Sequence, residues 1–391
     1  MANTELAYIT PKVLRWAIDH SAEKPATIAT KLKVTDAQLS AWLEGTTAPQ
    51  FNKAMKLANI LHVPFGYFFL SEPPKIDLPL PDRRTLPHTM QREPSMDFLN
   101  LLTAVQARQD WYRDYALQQG TDSLPFVGAF TVNGTRIVAT SISTTLAINE
   151  GLRREAGNLT NYLALLSRQC EAKGILVMRS GVVGHTTRRL SVREFQGFSI
   201  VDKIAPLIFV NSQDYKSAQV FTLAHELAHI WIGESAIDTP DEAGQRPETI
   251  AHEVERFCNA VAAEVLVPEA EFLKVYEEPI NLQKLSRRFK VSTLVILRRA
   301  HDLKQIRTDR FFALLKEEQQ KLAGLMSGGG GTVEVKESEG NFYNTAQARL
   351  GRRFPQALLQ DVKQGGTPYR DAAHLLGVKV PTVIKLMGRL T

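Results

Sequence analysis

The run VFTLAHELAHIWIG contains the pentapeptide HELAH at positions 225–229. Residues four apart sit one above the other on a helix face, so a helix here aims the imidazoles of His225 and His229 at one point. Glu226, one step round the helix, falls short of that point but can reach a water held there. Two neutral nitrogen donors with an adjacent carboxylate are the requirement of hydrolytic zinc: the ion acidifies water and polarises a carbonyl, and the carboxylate carries the proton.

Such a centre needs a third protein ligand and an open fourth position. A third histidine six residues past His229 is excluded, because position 235 is Ser and the midway position 232 is Ile. The other source is an acid on a following helix, and ETIAHEVERFCNAVAAEVLVP (248–268) supplies that helix, terminated by Pro268. Its apolar stripe is Val254, Phe257, Cys258, Val261 and Val265. Steps of about 100° put Glu255 nearer that stripe than Glu253 and turn His252 away. Periodicity thus favours Glu255 and leaves Glu253 open. Cys258 reads as a small buried apolar residue. The oxyanion stabiliser is not identified, with His252, His185 and Tyr215 as candidates.

Composition narrows the class. A chain of 391 residues with 44% hydrophobic and 23% charged residues is globular and long enough for two or three domains. It lacks an uncharged apolar run of about 18 residues, so no membrane span is expected, and the amino terminus does not read as a secretory signal. Cys170 and Cys258 are the only cysteines. That excludes a disulfide framework and a cysteine-zinc cluster, and makes a reducing cytoplasm the expected location. The net charge is +6, and residues 341–391 carry all of it, with eight Lys/Arg against two acids.

Two breaks organise the chain: the proline-rich EPPKIDLPLPDRRTLPHTMQREPSMD and the glycine run SGGGGTVEVKESEG. The expected architecture is α+β and multidomain. It comprises an all-α helix-turn-helix domain (1–71), a Pro-rich linker (72–98), a zincin-like domain with a small sheet (99–270), a helical subdomain (271–326), a Gly-rich linker (327–340) and a basic helical subdomain (341–391). Strands are expected at 135–142, 174–180 and 205–211, and helices at 97–119 and 149–173. The rings of the 97–119 helix are expected in the core.

In the first domain PATIATKLK, a turn at Val34-Thr35, DAQLSAWLEG and KAMKLANILHV predict three helices. The segment resembles the phage-repressor-like (Cro-type) helix-turn-helix family through Ile28-Ala29, Thr35, Leu39-Ser40, Trp42, Gly45 and Pro49. The resemblance implies double-stranded DNA as a candidate partner, with Thr35, Asp36, Gln38 and Ser40 as contacts at the helix start; a docking or dimerisation role stays open beside it. NLQKLSRRFKVSTLVILRRAHDLKQI (281–306) and YRDAAHLLGVKVPTVIKLMGRL (369–390) outline two further helix pairs, each able to contact nucleic acid or to prop the site.

The block IFVN, nine residues, FTLAHELAHI, followed by ERFCNAVAAEVLVP, resembles the ImmA/IrrE family of bacterial metallopeptidases. That family pairs an HExxH helix with a second helix of the form Glu-x-x-(Ala/Cys)-Asn-x-x-Ala-Ala ending in proline, here Glu255, Cys258, Asn259, Ala262, Ala263 and Pro268. The resemblance implies His225, His229 and Glu255 as ligands to Zn2+ and Glu226 as general base. It also implies a protein substrate, namely a partner transcriptional repressor or a toxin–antitoxin component. The alternative is a DNA-binding regulator or antitoxin that binds its partner stoichiometrically around a structural metal. Retention of Glu226 speaks for catalysis, because a structural site has no use for a base.

Overall fold

The computed structural model describes residues 5–21, 23–74, 94–184, 188–238, 250–327 and 349–388, so the glycine run and most of the proline-rich stretch lie outside the described residues. The described residues fall into two compact units, one within 1–79, 88–106 and 182–190 and one within 80–87, 107–181 and 191–391.

The first unit is helical: α1 (Pro11–Asp19), α2 (Pro25–Leu32), α3 (Asp36–Glu44), α4 (Phe51–Leu61) and a 3-10 turn at Phe65–Phe69. Pro11 and Pro25 stand in the first turns of their helices, where the missing N–H costs nothing. Thr35 and Gln38 form a reciprocal capping box at the start of α3, and Gly45 ends it at φ 74°. Val13, Leu14, Ile28, Leu32, Leu39, Ala54, Leu57 and Phe68 form its core.

The second unit carries the sheet. Its helices before the sheet are the C-terminal part of α5 (Met96–Gln118), then α6 (Thr135–Thr145), α7 (Glu150–Ala156) and α8 (Leu159–Ala172). Strands β1 (Leu176–Ser180), β2 (Gly197–Ile200), β3 (Leu207–Asn211) and β4 (Ala236–Asp238) form one four-stranded sheet in the order β1-β3-β2-β4. β1 runs parallel to β3, pairing Val177 with Ile208, and β2 is antiparallel to both β3 and β4. The near-continuous burial of β1 and β3 explains why Ile175–Met178 and Leu207–Val210 appear in the sequence as unbroken apolar runs.

Helix α9 (Lys216–Ile232) follows β3, and α10 (Ile250–Leu266) packs along it. α9 also meets α6, α8, β2 and β3. A helix enclosed on every side has no solvent face, which is why its sequence is apolar nearly all round. α11 (Glu269–Val275), α12 (Leu282–Phe289), α13 (Thr293–Asp302) and α14 (Thr308–Ser327) follow, then α15 (Arg353–Lys363), α16 (Tyr369–Leu376) and α17 (Val380–Met387). Leu285, Phe289, Ile296 and Leu297 of α12 and α13 share one core with Leu223, Leu227, Val261 and Val265. Among the described residues, no helix is long and apolar enough to cross a membrane.

Two expectations are corrected. TRIVATSI (135–142) forms helix α6, not a strand. Its β-branched residues favour an extended chain in isolation, but Val138, Ala139 and Ile142 make a buried helical stripe against α9 and α10. Tertiary burial overrides the local preference. The 149–173 helix is two helices, broken where Gly157 takes φ 67° and Asn158 caps α8 by accepting from the Asn161 N–H. In α5, Tyr112 is buried, whereas Trp111 is half-buried and stacks on Tyr115 at 5.3 Å.

Candidate metal centre

The loop from β3 into α9 sets the site's foundation. Asn211 is fully buried; its amide donates to Phe195 O at 3.1 Å and its Oδ1 accepts from the Gln213 N–H. Gln219, also buried, donates to Ser212 O and Asp214 O. These two side chains satisfy the backbone of the turn, so Asn211 holds the loop.

His225 and His229 are 1% and 0% exposed. Their Nε2 atoms lie 3.0 Å apart. From α10, Glu255 brings Oε2 to 3.1 Å from His225 Nε2 and Oε1 to 3.6 Å from His229 Nε2. One ligand atom from each residue falls within 4.8 Å of the others. Glu253 is exposed, so α10 turns Glu255 rather than Glu253 toward α9.

The protonation pattern tests whether this cluster suits a cation. His225 Nδ1–H donates to Asn259 Oδ1 at 3.1 Å. In the neutral ring that leaves Nε2 as a bare lone pair, facing a carboxylate and a second imidazole nitrogen. Electron-rich atoms 3.0–3.6 Å apart in a buried place repel unless a proton or a cation lies among them. Two nitrogens and one carboxylate oxygen are a donor set that zinc accepts. In the metal-free site burial pushes the Glu255 carboxyl up, but hydrogen bonds and charge from protonated His225 and His229 take the cation's place, outweigh this and hold it well below the ordinary carboxylate range.

Glu226 is fully buried beside this cluster. It approaches β2 where there is no side chain: a Cβ on Gly197 would lie 3.4 Å from Glu226 Oε1, 2.4 Å from Thr222 Cγ2 and 2.9 Å from Phe209 O. Glycine at 197 therefore lets α9 lie directly on the strand. Nothing in the residues around Gly197 signals this role, because it depends on contact with Thr222, 25 residues later in the chain.

Cys258 and Cys170 are buried and form no disulfide, and burial raises the Cys170 pKa. Of the other candidates, Tyr215 precedes α9 and is 62% exposed, while His185 and the His252 side chain lie outside the described residues. Thr35, Asp36, Gln38 and Ser40 are exposed at the start of α3, in the other unit. Thr35 Oγ1 accepts from the Gln38 N–H at 3.2 Å, and the Thr35 N–H donates to Gln38 Oε1 at 3.1 Å, so both side chains serve the cap.

Residues 350–389 match a domain family of unknown function (DUF8813). No curated protein and no solved structure matches the chain. Residues 170–301, which carry all three donors and Glu226, match the family model of the IrrE N-terminal-like domain, and in this segment the chain is similar to that peptidase family.

Proposed function

We propose that the chain is a zinc-dependent endopeptidase that cleaves a partner transcriptional regulator and so relieves repression. The observation that carries this reading is the convergence of His225, His229 and Glu255 within 4.8 Å, with the buried carboxylate of Glu226 on the same helix.

His225, His229 and Glu255 would hold the ion, leaving a fourth position open. When bound, zinc supplies Lewis acidity toward a peptide carbonyl and makes water a competent nucleophile near neutral pH. The protein's own part is positioning and proton movement. Asn259 holds the His225 ring with Nε2 directed inward. Glu226 takes a proton from the attacking water and returns it to the leaving amine.

The amino-terminal helices serve targeting in this proposal. α3 bears Asp36 and Glu44 and no Lys or Arg, which favours docking on a like-folded repressor over contact with phosphates. Such docking raises the local concentration of substrate at the peptidase.

The test uses intact protein and the regulator encoded beside it. The wild-type chain is expected to hold about one zinc and to cleave that regulator, with His225→Ala losing the metal. Glu226→Gln is expected to keep the metal and lose about 10²–10⁴ in rate. A natively folded wild type that takes up no zinc, or undiminished cleavage by Glu226→Gln, overturns the proposal. A stable uncleaved complex with the regulator would mark a stoichiometric antitoxin or regulator instead.

A further inference from the structure

Helices α15–α17 present a surface that the proposed peptidase does not use. α16 and α17 are joined by Gly377, Val378 and Lys379. Gly377 takes φ 69°, and the Val378 N–H returns to Ala373 O at 2.8 Å. Ala372, Ala373 and Leu376 of α16, Val383 and Leu386 of α17, and Leu358, Leu359 and Val362 of α15 are all buried as the three helices pack together. Two helices joined by a short glycine-containing turn share the connection of the helix-turn-helix motif, whose second helix enters a DNA groove.

The side of this module that meets the rest of its unit is defined by hydrogen bonds. Buried Glu171, at the end of α8, accepts from the Arg352 and Arg353 N–H groups, at 2.7 and 3.1 Å. The Arg353 guanidinium donates to Glu171 O at 2.9 Å and to the Tyr112 hydroxyl. Gly351 is left-handed at φ 72°, and a Cβ there would lie 2.2 Å from Glu171 Oε1 and 2.7 Å from Val177 O. Trp111 Nε1–H donates to Thr367 Oγ1 at 3.0 Å, and Arg108 donates to Leu375 O at 2.8 Å. These anchors fall before α15, within it, before α16 and within α16.

α17 supplies none of these bonds and shows its outer face. Lys379, Val380, Pro381, Ile384 and Lys385 are exposed, Ile384 at 57%, and Arg370 stands exposed near the start of α16. Residues 379–388 contain no acid, and the stretch that includes them carries the chain's whole net charge of +6. α3, by contrast, carries only acids among its charged residues.

We propose that α17 is a DNA-reading helix that enters the major groove of duplex DNA. Lys379, Lys385 and Arg370 meet backbone phosphates, while Val380 and Ile384 face base edges, where an aliphatic group contacts a thymine methyl. The inference rests on this module alone and holds whether or not the chain is a peptidase.

Fluorescence anisotropy of the intact protein with a labelled mixed-sequence duplex of about three helical turns tests it over a range of salt concentrations. Affinity is expected to fall steeply with salt. The Lys379→Ala/Lys385→Ala double variant is expected to bind at least about tenfold more weakly and to lose about two from the salt slope, near one per phosphate contact. His225→Ala is expected to bind as the wild type does. A thermal melt showing an unchanged fold accompanies each variant. Wild-type affinity in the double variant overturns the proposal. So does absence of duplex binding at low salt, which would point to an acidic protein surface as the partner.

Discussion

His225 Nδ1–H donates to Asn259 Oδ1 across 3.1 Å, so a side chain of α10 orients an imidazole of α9. The same helix contributes Glu255 four residues earlier, one helical turn away. One face of α10 thus supplies both a donor to the cation position and the group that fixes which ring nitrogen points there.

Asn259→Ala is therefore expected to leave the fold intact and to weaken zinc binding by about 10–100-fold, the usual cost of losing an orienting partner behind a ligand histidine. Competition titration against a chromophoric chelator measures it. Asn259→Asp, whose carboxylate still accepts from Nδ1–H, is expected to recover most of the affinity. Unchanged affinity in the alanine variant would show that packing alone orients the ring.

Gly197→Ala is expected to destabilise the second unit. The added methyl would lie 2.4 Å from Thr222 Cγ2 and 2.9 Å from Phe209 O. The carbonyl belongs to β3, the paired neighbour of β2, and has little room to move. Overpacking of this kind costs about 1–3 kcal/mol. Urea denaturation of the two proteins measures the difference. Thr222→Ser, placed in the same chain to remove Cγ2, is expected to restore part of it; a variant as stable as the wild type would rule out the close approach of α9 to β2.

The ionisation of Glu255 sets a pH dependence for metal-stripped protein. Burial opposes its charge, but His225 and His229 more than compensate and lower its pKa below the ordinary 4.5. A carboxylate depressed in the folded state contributes stability that is present above its unfolded value and is lost as pH falls through the folded value. The stability gap between wild type and Glu255→Gln is expected to be widest between the ordinary carboxylate and histidine ranges, about pH 4.5–6.5, and to narrow on acidification. Urea melts with chelator present, repeated across pH, check this. A gap that stays constant on acidification would contradict the pairing.

The amino-acid order by itself determined the local elements whose periodicity and caps agree with their final surroundings. α2, α3 and α4 follow from Pro25, the Thr35–Gln38 box, Gly45 and an apolar stripe, and α9 and α10 from their helical spacing. It also placed His225 and His229 on one face, since four-residue spacing is a property of any helix. Tertiary structure decided the rest. Val138, Ala139 and Ile142 became one face of α6 because α9 and α10 were there to cover them. Glu255 rather than Glu253 faces the imidazoles because α10 rolls its buried stripe onto α9. Gly197, Asn259 and Glu171 carry no local signal of their roles, because each acts on a group distant in sequence. Spacing along a helix is written in the chain, whereas the partner a side chain meets is set only when separate elements pack.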